Sequence, residues 1–403
     1  MDARDSQVEK KEQGASFAEL MRRSPLYKIH TALIERIIVA VGRMQQHCQT
    51  TSELQRIWQR LDKGNRLVKE MNECIPVVAC VVDRIHEAST EDEDNWTVVD
   101  LCSGVGYVSI VLAAILDPKK VKRIVLVDKQ WPLIGGDTLD HHINPDHIHK
   151  IPYPIEVDYR KYDLKASSGQ RAFKQHIVDR VPGPLLLLGV HLCGTLSLRA
   201  IEIFNSYSQC LFLALKPCCL PVEHGTTQKN RPSKKGRKRT IWKLGGAELT
   251  SEEVAGEGKY VKGKWVGPPK SELEPKFDNW AAGLLRSNYI GGTDGHKEIL
   301  DIQVGSPQRQ EETGHHYQTK FIFAAKPVGI VSPAEMALET VELELEPPDK
   351  DATKAAAKAR REARVRARRV AEGAVVVGIE PQEVSPEGEG LTKSGRGPAG
   401  SCV

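Results

Sequence analysis

The sequence predicts an α/β fold with a seven-stranded, mostly parallel sheet, and three observations support the prediction. Between residues 96 and 219, short apolar strands alternate with helical stretches, as in a doubly wound parallel sheet. The unbroken apolar run Leu185–Leu188 favours a strand that is buried on both faces. Two further strands, at 296–304 and 317–326, have no helix between them, so we expect an antiparallel hairpin at the sheet edge.

The composition indicates a globular protein of a reducing compartment. The 403 residues suffice for one large domain with extensions, and a hydrophobic content of 40% supports a core. The N-terminal residues carry no apolar leader, and no apolar run reaches the length of about 18–20 residues that spans a bilayer. We therefore expect no membrane association, a cytoplasmic or nuclear location, and nine cysteines that are thiols or ligands rather than disulfides.

Four parts follow one another along the chain, and the first two precede the sheet. In the second part, Ile29, Leu33, Ile37 and Val41 recur every four residues and predict one apolar helix face. Pro76 is expected to begin or interrupt a later helix. The predicted parts are a disordered start at 1–15, a helical N-terminal extension at 16–90, an α/β domain at 91–330 with a basic Gly/Pro-rich insertion at 222–275, and a low-complexity tail at 331–403, acidic and then basic.

Five strands of the α/β domain are expected to be parallel. The first leads through a glycine turn directly into an apolar helix, which is typical of the ligand-binding edge of such sheets. The predicted parallel strands are 96–100, 121–128, 153–158, 184–194 and 209–219, and helices are predicted at 106–116 and 277–288.

The segment DLCSGVGYVS, which joins the first strand to its helix, has the form of a nucleotide-binding turn. Gly104 and Gly106 let the backbone turn tightly and approach a ligand without a Cβ, and Cys102 lies in the same turn. The helix N-terminus that follows offers free N–H groups to an anionic group. A dinucleotide fingerprint needs glycine or alanine where Ser109 stands, so that match is weak.

S-adenosylmethionine fits this turn better, because it presents an ammonium group and a ribose diol instead of phosphates. Asp100, at the end of the first strand, suits the ammonium group, and Asp128, at the end of the second, suits the ribose hydroxyls. Asp158, at the predicted end of the third strand, would accept from the adenine amino group, with Asp163 as the less favoured choice. The alternative is that these aspartates only cap the following helices.

With the clusters HLCG at 191–194 and KPCC at 216–219, the sequence resembles the class I S-adenosylmethionine-dependent methyltransferases. HLCG, PCC, DLCSGVGYVS and, more loosely, NWAAG are similar to the eukaryotic tRNA 2'-O-methyltransferases that act on the acceptor stem, and to related methyltransferase-like proteins. This resemblance implies a Rossmann-like methyltransferase sheet and methyl transfer to RNA, with tRNA processing as the leading role. Leu220 and Pro221 depart from the histidines that follow the double cysteine in the acceptor-stem enzymes, and the N-terminal Cys/His zinc modules of those enzymes are absent.

The residues after the fourth and fifth strands are the predicted catalytic residues. For transfer to a ribose hydroxyl, His191 is the best base by its intrinsic pKa, and Lys216 would contribute charge or, if desolvated, act as a base. For transfer to a pyrimidine carbon, Cys193 or Cys218 would be the nucleophile. We predict no metal site, because H-x-C and C-C are poor chelating spacings, and buried structural thiols, as for Cys219, are the other alternative.

Two basic segments predict contact with RNA. Residues 229–239 hold seven cations and no acid, and residues 354–369 hold eight Lys or Arg and one Glu. Such segments neutralise phosphates, although a solvated loop or a nuclear localisation signal would have the same composition. A protein methyltransferase, or a methyltransferase fold that binds RNA or protein without catalysis, are the alternative functions.

Overall fold

The computed structural model describes residues 15–87, 95–181, 183–221, 241–244, 247–256, 259–261, 264–266, 270–290, 295–302, 304 and 319–327. All of them belong to one compact unit, Met1–Thr340. The predictions for 1–14, for both basic segments and for the C-terminal tail lie outside the described residues. Within the described ranges, no helix combines the length and the apolar character needed to cross a bilayer.

The strands confirm the predicted seven-stranded sheet. In chain order they are β1 (Trp96–Leu101), β2 (Val121–Asp128), β3 (Glu156–Lys161), β4 (Leu185–Cys193), β5 (Cys210–Cys219), β6 (Ile241–Leu244), β7 (Ala247–Thr250), β8 (Lys259–Val261), β9 (Lys264–Val266), β10 (His296–Asp301) and β11 (Lys320–Ala325). The main sheet has the order β10-β11-β5-β4-β1-β2-β3. Strands β1 to β5 pair in parallel, while β11 is antiparallel to both β5 and β10, as predicted for the closing hairpin.

Helices cover both faces of the sheet. They are α1 (Phe17–Arg22), α2 (Thr31–Cys48), α3 (Ser52–Leu61), α4 (Arg66–Glu87), α5 (Tyr107–Ile115), α6 (Asp146–Lys150), α7 (Ser167–His176), α8 (Leu196–Ser206), α9 (Ser251–Val254) and α10 (Lys270–Arg286). Val98 on β1 belongs to an apolar cluster with α2, α4 and α5, whereas its neighbour Val99 belongs to a second cluster with α7, α8 and α10. Successive strand side chains point to opposite faces, so the sheet is buried on both sides.

The apolar face of α2 differs from the predicted one. Ile37 and Val41 are buried as expected, but Ile34 and Ile38 complete the buried stripe. Ile29 is 69% exposed, because the helix begins only at Thr31. A stripe at i, i+3, i+4 and i+7 follows the helical period, whereas strict four-residue steps drift off one face.

Helix α4 passes through Pro76 without ending there, and its buried face packs against the sheet. Strand β3 occupies Glu156–Lys161, so the predicted strand 153–158 was placed three residues too early. Helix α10 begins at Lys270 instead of at 277, and Pro275 lies inside it. Proline is common at the first position of a helix, so its presence gave no signal that the helix began earlier. The described parts of the insertion form two antiparallel hairpins, β6–β7 and β8–β9.

Candidate active site

The backbone of the turn between β1 and α5 is left-handed at alternate positions. Cys102, Gly104 and Gly106 have φ angles of 57°, 53° and 85°, all in the left-handed region that favours glycine. A Cβ on Gly106 would lie 2.0 Å from Cδ2 of Leu126, so a larger residue here would displace that buried side chain. Around Gly104 nothing lies within 4 Å of a Cβ position, and the backbone there faces open space that a ligand can occupy.

Asp128, at the end of β2, lies against this turn, as predicted. Its Oδ2 accepts a hydrogen bond from the Gly104 amide at 3.1 Å, and its Oδ1 accepts one from the Gln130 amide at 2.8 Å. Carboxylate oxygens accept more than one hydrogen bond each, so both remain able to bind hydroxyl groups of a ligand. The two amides fix the direction of the carboxylate.

Asp100 is buried under the turn. Its Oδ2 accepts a hydrogen bond from the Ser109 hydroxyl at 2.7 Å. Burial raises the pKa of Asp100 to about 7, because desolvation outweighs this hydrogen bond and the charge of Asp128 adds to the effect. A cationic group beside Asp100 would restore its ionised form.

Asp158 does not lie where the sequence predicted it. It is in the middle of β3, opposite Val125, because the strand continues to Lys161. Its Oδ2 forms ion pairs with Arg123 and with Arg160, and the second of these is 2.5 Å long. The expectation that Asp158 ends its strand is therefore wrong.

Asp163, the less favoured choice, follows the end of β3. Burial raises the pKa of the Cys102 thiol to about 12, and the charges of Asp128, Asp100 and Asp163 add to the rise. Asp163, two residues after the end of β3, therefore takes the position after the strand that the sequence assigned to Asp158.

Aromatic side chains that the sequence did not predict contact the turn between β1 and α5. The fully buried Trp131 donates from its indole Nε1 to the Ser103 hydroxyl at 3.2 Å and stacks on Tyr159 with ring centroids 4.9 Å apart. The buried His147 places its Nε2 2.8 Å from the Val105 carbonyl oxygen. Trp131 comes three residues after Asp128, and a tryptophan so close to a strand end was the available signal.

The ladder between β4 and β5 has three register shifts, and two of them lie at its carboxyl end. Val190 pairs with Lys216 and Leu192 with Pro217, so His191 is an extra residue on β4. His191 also has a φ of 58°, which is unusual for a residue with a side chain. Such bulges often re-aim side chains at functional sites.

The re-aimed His191 meets two carboxylates from α4. Its Nε2 lies 3.3 Å from Oε2 of Glu73 and 3.5 Å from Oε2 of Glu70. The Nζ of the buried Lys216 lies 3.3 Å from the same Glu73 oxygen. Burial opposes the effect, but the hydrogen bond and charge of His191 lower the pKa of Glu70. Neither glutamate was predicted, because α4 precedes the sheet and is far from these residues in sequence.

The three predicted thiols come together beside His191. The Sγ of Cys193 is 3.2 Å from the Sγ of Cys218, which is 3.6 Å from the Sγ of Cys219. Hydrogen bonds from Cys218 and Cys219 lower the pKa of Cys193 well below its usual range, and the same contacts raise the pKa of Cys218. One thiolate in the cluster is thus favoured, and it belongs to Cys193. The predicted catalytic residues His191, Cys193, Lys216 and Cys218 all lie at this edge.

Part of the chain matches a known protein family, and solved structures match as well. Residues 68–221 match a family model described as a methyltransferase domain. No curated protein matches the sequence. Nineteen chains of solved structures match, among them one from Listeria monocytogenes described as that of an S-adenosylmethionine-dependent methyltransferase. The two are 11% identical, the match covers 62% of this chain and 99% of that chain, and the TM-score is 0.27.

The strand order, the glycine turn and the family model over residues 68–221 together support a class I methyltransferase domain and an enzyme that uses S-adenosylmethionine. This confirms the predicted fold, enzyme class and cofactor. The residues present fit that cofactor, because Gly104 faces open space and its amide binds the carboxylate of Asp128.

Proposed function

We propose that the enzyme methylates RNA on a ribose 2'-hydroxyl, with tRNA as the leading substrate. The observation that carries the proposal is the imidazole of His191, which is held by Glu70 and Glu73 and remains 36% exposed at the sheet edge. A ribose hydroxyl is a weak nucleophile, so it requires a base at the point where its proton leaves. His191 is such a base, and it is accessible.

The contacts of His191 assign its two nitrogens different roles. Nε2 faces the carboxylates of Glu70 and Glu73, so in the neutral ring the proton is held on Nε2. Nδ1 is then unprotonated and can accept the proton of a substrate hydroxyl. The two carboxylates stabilise the imidazolium that results, and they fix the ring orientation.

S-adenosylmethionine supplies a methyl group on a positively charged sulfur, and Asp100, Asp128 and Asp163 are the residues that would hold its polar groups. Lys216 offsets part of the negative charge of the two glutamates through its contact with Glu73. Alignment of the hydroxyl by the protein would supply much of the remaining acceleration.

The preference for RNA is supported by the sequence beside the site. The basic segment 229–239 begins ten residues after Cys219, the last residue of β5. Pro221, the last described residue before this segment, lies 3.3 Å from the Cβ position of Gly194, which follows β4. Seven cations there would neutralise phosphates next to the acceptor.

A pyrimidine carbon of RNA is the second candidate acceptor, and the lowered pKa of Cys193 favours it. A thiolate at this edge could attack the ring and activate the neighbouring carbon, as nucleophilic catalysis requires. The two acceptors differ in their products, which are a 2'-O-methylnucleoside and a 5-methylpyrimidine.

The test incubates the full-length protein with labelled S-adenosylmethionine and with total cellular RNA or total protein, followed by nucleoside analysis. We expect label in RNA as a 2'-O-methylnucleoside, and a rate that falls about 10²-fold or more in His191→Gln because the base is lost. His191→Gln should bind S-adenosylhomocysteine as the wild type does, and His176→Gln, an exposed histidine on α7, is the matched control.

Three results decide between the functions. Label in protein, or full activity of His191→Gln, would contradict the proposal. A 5-methylpyrimidine product that disappears in Cys193→Ser would establish the second candidate. If the wild-type protein does not bind S-adenosylhomocysteine, the alternative is supported in which the fold binds RNA or protein without catalysing methyl transfer.

A further inference from the structure

The end of the β4–β5 ladder has a second irregularity, one residue beyond His191. Leu192 pairs with Pro217 and Cys193 with Cys219, so Cys218 is an extra residue on β5. In a regular strand, adjacent residues point to opposite faces, and Cys218 and Cys219 would be separated. The bulge instead brings both sulfurs to the side where Cys193 lies.

The result is a compact group of three sulfurs. The ligand atoms of Cys193, Cys218 and Cys219 all lie within 4.8 Å of one another. Thiolates at about 2.3 Å from a tetrahedral zinc ion lie about 3.8 Å apart. The separations of 3.2 Å and 3.6 Å within the group are close to this value.

We propose that Cys193, Cys218 and Cys219 form a zinc-binding site that joins the ends of β4 and β5 and leaves its fourth position open. Three sulfur ligands select a thiophilic ion, and zinc needs no change of oxidation state. Cys193 and Cys219 are exposed, so the fourth position faces solvent and is filled by water. On binding, the thiols that are protonated release their protons to solvent, and three Zn–S bonds form.

The sequence expectation of no metal used chelate spacing alone, and that spacing does not show that a bulge turns adjacent cysteines to one side.

The proposal concerns metal binding and stands apart from the acceptor that the enzyme methylates. The full-length protein is incubated with Zn²⁺ under a reductant, freed of excess metal, and analysed for bound zinc, and Co²⁺ is used as a spectroscopic probe of sulfur ligation. We expect about one zinc per chain and a sulfur-to-cobalt charge-transfer band. Both should fall at least tenfold in the double variant Cys193→Ser/Cys219→Ser.

Cys80→Ser is the matched control, because Cys80 is a half-buried thiol on α4 outside the group. It should retain zinc in full, and all variants should bind S-adenosylhomocysteine as the wild type does, which shows that they are folded. Zinc content equal in the wild type and the double variant would overturn the proposal. A zinc-free chain in which Cys193 and Cys218 form a disulfide under the same conditions would overturn it as well.

Discussion

The raised pKa of Asp100 predicts that the wild-type carboxylate destabilises the fold at neutral pH. Its pKa rises from 3.8 to about 7 on folding, chiefly through burial. The native state therefore binds a proton more tightly than the unfolded chain, and stability is lost as the pH rises from about 4 to about 7. Each pKa unit corresponds to about 1.4 kcal/mol, which gives a cost of about 4 kcal/mol at pH 8 and about 2 kcal/mol at pH 5.

Asp100→Asn removes the ionisable group and keeps a side-chain oxygen that can accept from Ser109. We expect a higher free energy of unfolding, by about 4 kcal/mol at pH 8 and about half of that at pH 5. Affinity for S-adenosylhomocysteine should fall at least tenfold, because the charge that we propose to face the ammonium group is lost.

Denaturant unfolding at both pH values and calorimetric titration measure the two effects. Asp140→Asn, at an exposed aspartate, is the control and should change neither quantity. If Asp100→Asn is no more stable than the wild type at pH 8, or if its gain is the same at pH 5, the argument from burial is wrong.

Two further predictions concern the turn and the buried cation. Gly106→Ala should destabilise the protein by about 1–3 kcal/mol and weaken cofactor binding, because its Cβ would lie 2.0 Å from Leu126 and a φ of 85° is strained for alanine. Adding Leu126→Ala should restore part of the binding. Full cofactor binding by Gly106→Ala alone would contradict this geometry. Lys216→Met should cost about 2–4 kcal/mol, because Glu73 loses its buried partner. Glu73→Gln in the same chain should restore much of the loss, and a double-mutant cycle without coupling energy would show that the contact is unimportant.

The cofactor half of the site could be predicted from the sequence because its residues are local. Asp100, Gly104 and Gly106 lie within seven positions, and Asp128 ends a strand whose apolar pattern is plain. The error at Asp158 has a physical cause. Strand β3 is at the sheet edge, so its last residues, including Lys161, are polar and give no apolar signal for the end of the strand.

The acceptor half was predicted only in part, since its partners are distant along the chain. Glu73 reaches Lys216 across 143 positions, and nothing in the sequence of α4 connects the two. Glu70 and Glu73 are spaced to lie on one helix face, but many exposed helices have the same spacing. Similarly, the two bulges that direct His191 and Cys218 are properties of strand pairing, which the apolar pattern does not encode.

Backbone strain in the described residues concentrates at the two ends of the proposed reaction path. Besides Asn65, the described non-glycine residues with a left-handed φ are Cys102, in the cofactor turn, and His191, at the acceptor edge. Each such residue costs about 1–3 kcal/mol and persists only where its surroundings hold it. Here the surroundings are the fully buried core of β1 and β4, which pair directly with each other. Asp100 and Cys102 lie at the end of β1, and His191 lies near the end of β4. The stability of these two central strands therefore offsets the cost of the strained residues and of the buried Asp100 carboxylate.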